Sequence, residues 1–144
     1  MKTFFKKNLL LRAAGCGFVL TVLLSFTGFS AQCDALEKNV IRLHVLANSD
    51  SDADQAVKLK ARDAVLLEAG LWYGDADDFE TALAAVCTHL ESLEAAANAV
   101  LRAEGVPYSA QAEVCEMYFP TRTYDTGSLP AGKYRTLRVT LGAA

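Results

Sequence analysis

The sequence is poor in the residues that most often carry chemistry. Its 144 residues include only two histidines, His44 and His89, forty-five positions apart, so no local pair of imidazoles offers itself to a metal ion. It contains no G-x-S-x-G turn, no phosphate-binding glycine loop and no H-E-x-x-H helix. The motif-borne routes to acyl transfer, nucleotide binding and zinc hydrolysis are therefore missing. Cys33, Cys87 and Cys115 are too widely spaced to suggest metal ligation. Basic charge is scarce in the body, where residues 34–116 hold 6 basic against 16 acidic groups. A surface this acidic repels phosphate backbones, which makes nucleic acid a poor partner. Acidic residues, in turn, are absent from residues 1–33.

That N-terminal stretch has a purpose of its own. Lys2, Lys6, Lys7 and Arg12 precede nineteen uncharged residues, Ala13 to Ala31, rich in Leu, Val and Phe. A basic region followed by an apolar core is the pattern of an export signal. Gly28 and Ser30 are the small residues that would place a cleavage site after Ser30. The alternative is an uncleaved anchor, since nineteen residues can just span a bilayer. Gln32 before Cys33, and Leu9–Arg12 before Cys16, do not make a lipobox. Residues 1–33 thus read as a signal peptide or membrane anchor, and 34–144 as one domain outside the cytoplasm. There Cys33, Cys87 and Cys115 permit at most one bridge within the chain.

With 52% hydrophobic and 22% charged residues, the composition is that of a folded domain. Ile41, Leu43, Val45 and Ala47 alternate with Arg42, His44 and Leu46, the period of a half-buried strand. Asn48-Ser-Asp-Ser-Asp52 follows as a turn, and Asp52 with Gln55 predicts a capping box for a helix ending at Gly70. Asp50-Ser-Asp-Ala-Asp54 resembles a calcium loop only superficially. Position six is Gln55 where glycine is needed, and position twelve is Ala61 where glutamate is needed.

Asp77 and Glu80 predict a second capping box. Phe79, Leu83, Val86, Leu90, Leu93, Ala97 and Val100 then predict one long helix with a heptad seam, closed by Gly105. Pro107 marks a switch to strands over Gln111–Phe119 and Lys133–Leu141, with a loop at 121–132. In the last strand Leu137, Val139 and Leu141 should face inward, and Tyr134, Thr136, Arg138 and Thr140 outward. The expected fold class is α+β, in the order β-α-α-β-β. Two helices should lie on one face of a small, mostly antiparallel sheet, after the N-terminal signal or anchor segment.

Two stretches then stand out as text. Ile41-Arg-Leu-His-Val-Leu-Ala-Asn-Ser-Asp-Ser51 with Asp54-Gln-Ala-Val-Lys-Leu-Lys-Ala-Arg-Asp-Ala-Val65 forms the first. Phe119-Pro-Thr-Arg-Thr-Tyr124, Leu129-Pro-Ala-Gly-Lys-Tyr134 and Leu137-Arg-Val139 form the second. Together they closely resemble the stage II sporulation protein R family, in the same order and at matching intervals. The resemblance implies a signalling protein of endospore-forming bacteria. It would be made in the forespore and exported to the space between forespore and mother cell. There it would activate a mother-cell membrane aspartic protease that processes the sigma-E precursor. Family members continue past the last strand into an aromatic segment, whereas this sequence stops at Ala144. The expectation is a shortened homologue or an incomplete reading frame.

A non-enzymatic activator without cofactor or metal needs a partner-binding surface. The first candidates are Arg42, His44, Asn48, Ser49, Asp50, Arg62 and Asp63; the second are Phe119, Pro120, Arg122 and Tyr124. The membrane is a further partner through residues 13–31 if they are retained. Two rival readings remain at this point. One is a membrane-anchored assembly protein that multimerises through Phe79–Val100. The other is an extracytoplasmic hydrolase, which would need His44 and Cys115 on neighbouring strands.

Overall fold

The alternation of Ile41–Leu46 forms strand β1 as expected. The computed structural model describes residues 13–25, 39–124 and 127–143. The chain divides into two compact units, Met1–Leu36 and Glu37–Ala144. In the first, residues 13–25 form an exposed helix, α1, in which the hydroxyls of Thr21 and Ser25 donate back to carbonyls four residues earlier. No helix among the described residues is long and apolar enough to cross a membrane. The cleavage site after Ser30, and Cys33, lie outside the described residues.

The second unit runs β1, α2 (Asp52–Gly70), a 3-10 turn (Tyr73–Asp75), α3 (Phe79–Thr88) and α4 (Leu90–Ala103). The strands β2 (Ala110–Phe119), β3 (Arg122–Tyr124), β4 (Gly127–Leu129) and β5 (Gly132–Leu141) follow. The main sheet has the order β1-β5-β2. β5 pairs antiparallel with β2 and parallel with β1, in the register Leu43↔Leu137 and His44↔Arg138. Helices α2 and α4 cover one face, where Ala61, Val65, Leu93, Ala97 and Leu101 meet Leu137, Val139 and Leu141. The fold is the expected α+β class.

Local details depart from expectation for definable reasons. The cap of α2 is Ser51, whose hydroxyl accepts from the Asp54 amide. Gln55 is left to donate to the Ser49 carbonyl instead of completing a box on Asp52. Asp78, not Asp77, caps α3 by accepting from the Thr81 amide at 2.7 Å. The single heptad helix is broken at His89. There the Thr88 hydroxyl and the His89 ring both bond carbonyls four residues back, and Trp72 stacks on the imidazole at 4.5 Å. Such side-chain competition for backbone carbonyls bends and ends helices. Gly105, at φ +69, closes α4 as expected. The expected loop 121–132 contains the hairpin β3–β4.

Candidate functional site

The sheet face turned away from the helices is set by parity. Arg42, His44 and Leu46 of β1 share it with Tyr134, Thr136, Arg138 and Thr140 of β5. Gln111, Glu113, Cys115, Met117 and Phe119 of β2 complete it. On a surface strand the alternate residues would be solvated. Here Tyr134 and Thr136 are fully buried and Arg42 is 8% exposed. Tyr134 and Thr136 do lie on the outward face as expected, yet they are buried there, with the Phe119 ring packed against Tyr134.

Arg42 is the centre of the arrangement. Its guanidinium carbon lies 4.0 Å from the ring centroid of Phe119 and 5.1 Å from that of Tyr134, both within cation–π range. Nη2 donates to the phenol oxygen of Tyr124 at 3.1 Å. Nη1 is buried and has no hydrogen-bond partner among the described residues. Phe119 packs edge-on against Tyr134 at 6.3 Å and against His44 at 5.5 Å. The Tyr134 hydroxyl donates to the Pro130 carbonyl at 2.7 Å, and Thr121 Oγ1 accepts from the Ala131 amide, which pins the base of the hairpin.

His44 lies next along the same face. Burial pushes its pKa down from 6.5, and Arg138, Arg42 and Lys58 push it further in the same direction. A half-buried imidazole beside cations resists taking a proton. Arg138 is itself gripped by Glu113, which accepts from both Nε and Nη2. That hydrogen bond and its charge raise the Arg138 pKa.

Sequence reasoning placed Arg42 and His44 on one surface, and Phe119, Pro120, Arg122 and Tyr124 on another. The fold brings Arg42, His44, Phe119 and Tyr124 into a single cluster. Pro120 and Arg122 are exposed beside it. Asn48 and Ser49 are occupied elsewhere: both donate to Asp54 Oδ2, at 3.2 and 2.5 Å, while Asn48 Oδ1 accepts from the Ala143 amide. Asp50 is exposed at the turn. Arg62 and Asp63 are exposed on α2, where they pair with each other at 2.7 Å. The sequence reading missed Tyr134 as a member of the site. Its parity was legible, but the parallel β1–β5 pairing that places it beside Arg42 was not.

His44 and Cys115 do not sit on neighbouring strands, because β5 lies between β1 and β2. Two strand spacings, about 9–10 Å, separate such positions, too far for a nucleophile–base hydrogen bond. Cys87 and Cys115 are free thiols, and Cys87 is exposed. Among the described residues no group of three His, Cys, Asp or Glu side chains could hold a metal ion.

Fold and site together define a small α+β domain whose helix-free sheet face carries a buried arginine packed against two aromatic rings. The chain belongs to the stage II sporulation protein R family, whose model matches residues 37–144. It is 38% identical over 102 residues to stage II sporulation protein R of Bacillus subtilis (strain 168). That alignment covers 71% of this chain and 46% of the relative, so the chain spans about half the length of the curated relative it matches. No solved structure matches. Membership assigns the chain a role in sporulation.

Proposed function

We propose that this chain is an exported sporulation signal that activates a mother-cell membrane aspartic protease, which then processes the sigma-E precursor. The observation that carries the reading is the family match over residues 37–144. The basic, then apolar, N-terminus supports export. Such an activator acts by binding the protease better in its active than in its inactive state. The cluster of Arg42, His44, Phe119 and Tyr124 suits contact with a protein, because arginine and aromatic residues concentrate binding energy. The hydrolase reading loses its geometry to the intervening strand β5. Assembly through Phe79–Val100 loses much of its surface, because Val86, Leu93 and Ala97 are buried in the domain's own core.

The test is co-expression of the full chain, the membrane protease and the sigma-E precursor in a host that does not sporulate. Cleaved precursor is expected only when all three are present. Absence of cleavage with all three proteins made and the chain exported would reject the reading.

A further inference from the structure

We propose that the Arg42 guanidinium is the receptor for a carboxylate on the partner protein, an Asp or Glu side chain that replaces the Tyr124 phenol. The partner's identity rests on the activator reading above; the chemistry of the contact does not.

The charge at this site is unbalanced. Arg42 is only 8% exposed and its Nη1 is buried, so the guanidinium has lost hydration, and a buried cation is ordinarily paired with an anion. Among the described residues Arg42 has no ion pair. The carboxylate on the same sheet face, Glu113, is already committed to Arg138. The rings of Phe119 and Tyr134 contribute their π faces. Aromatic faces do not accept the in-plane N–H bonds of a guanidinium, which has five donors in a fixed fork. In that plane the structure supplies one neutral acceptor, the Tyr124 oxygen on Nη2, and none for Nη1.

That acceptor sits on an element able to leave. Among the described residues β3 and β4 pair only with each other, outside the ladder of the main sheet. Tyr124 is 51% exposed although its hydroxyl bonds a buried group. Displacing the phenol therefore breaks no bond of the β1-β5-β2 ladder. A carboxylate arriving there satisfies Nη1 and Nη2 together, in the bidentate geometry that arginine favours and with roughly twice the strength of a neutral acceptor. The aromatic walls stay in place and keep water away from the ion pair. The specificity of the site follows from this: a forked cation held against two rings selects a planar anion.

The test uses the full chain in two arms. In the first, blocked glutamate (N-acetyl-glutamate N-methylamide) is titrated while the Arg42 Nε–H resonance is followed, with blocked glutamine as the neutral control. A shift is expected with glutamate only. Tyr124→Phe should tighten binding about five-fold or more, because no phenol has to be displaced. Arg42→Lys, followed through the Phe119 ring resonances because its own Nε–H is gone, should weaken binding about ten-fold, because the fork is lost. No shift in either the wild-type chain or Tyr124→Phe overturns the inference, as does equal or weaker binding by Tyr124→Phe. A purely structural Arg42–Tyr124 bond would give that last result.

The second arm repeats the co-expression assay. There Arg42→Glu should abolish precursor cleavage, and an Asp or Glu→Arg change in an exported segment of the protease should restore it. Glutamate binding without cleavage by the wild-type chain would reject the activator reading and leave the site standing. Cleavage that Arg42→Glu leaves intact would overturn the inference and leave the activator reading standing.

Discussion

The phenol of Tyr108 donates a 2.5 Å hydrogen bond to Oδ1 of Asp54, a residue fifty-four positions earlier. The other carboxylate oxygen, Oδ2, accepts from Asn48 and Ser49. Asp54 thus ties the β1–α2 turn to the segment entering β2. Tyr108 is held neutral, its pKa pushed to about 12 by burial and by the carboxylate beside it. Hydrogen bonds from Ser49, Tyr108 and Asn48 hold the Asp54 pKa below its ordinary 3.8. Tyr108→Phe should lower the thermal midpoint, and Asp54→Ala should lower it further because the whole turn loses its anchor. Circular-dichroism melts of the two variants check the ranking.

The same carboxylate gives the domain an acid limit. A depressed folded-state pKa means that the unfolded chain takes the proton first. The contribution is therefore complete above pH 3.8 and is lost as pH falls below that value through the folded pKa. Asp78, depressed by the Thr81 amide, behaves alike. Urea unfolding at a series of acid pH values should show a shallower loss in Asp54→Asn, with the Asp78 share remaining.

His44 acts at higher pH with the same sign. Its folded pKa lies below 6.5, so the unfolded state binds the proton more readily. Stability should hold above pH 6.5 and decline as pH drops from there towards the folded value. His44→Phe keeps an edge-on ring beside Phe119 and should flatten that decline. Urea midpoints between pH 7.5 and 5 measure it.

Gly142 should not tolerate a side chain. Its φ is +74, and an added Cβ would stand 2.1 Å from Asn48 Oδ1. Gly142→Ala should cost about 1–3 kcal/mol from backbone strain alone, plus the bond from the Ala143 amide to Asn48. Combined with Asn48→Ala it should cost less than the sum of the two single changes, because the clash and the bond are shared. A double-mutant cycle by denaturant unfolding decides this.

Leu93 is fully buried at the meeting of α4 with the core. Leu93→Ala should destabilise by about 2–5 kcal/mol through lost burial and the cavity left behind. Leu67 is 76% exposed on α2, and Leu67→Ala should change stability by about 0.5 kcal/mol or less. The contrast separates core helix positions from exposed ones.

Much of this architecture was legible in local pattern. The period of Ile41–Leu46, the turn chemistry before α2 and the run Leu137, Val139, Leu141 each specified an element, because each rests on neighbours in the chain. The break at His89 was hidden, since the apolar spacing from Phe79 to Val100 continues across it while polar side chains end the helix. The site was half legible. Arg42 and Tyr124 are eighty-two positions apart, and their meeting depends on strand order. Alternation tells which residues share a face; it does not tell which strand lies alongside.

The central position of β5 has a consequence for the speed of folding. β1 and β2 have no strand partner in the main sheet other than β5, and Ile41 must wait for Arg135, ninety-four residues later in the chain. Closing so long a loop costs entropy before any ladder bond repays it, and non-local pairing of this kind folds slowly. The helices can form early from local contacts, whereas the sheet cannot exist until the last strand is available. Between those events local helices can form while the apolar sides of β1 and β2 still lack the strand that joins them.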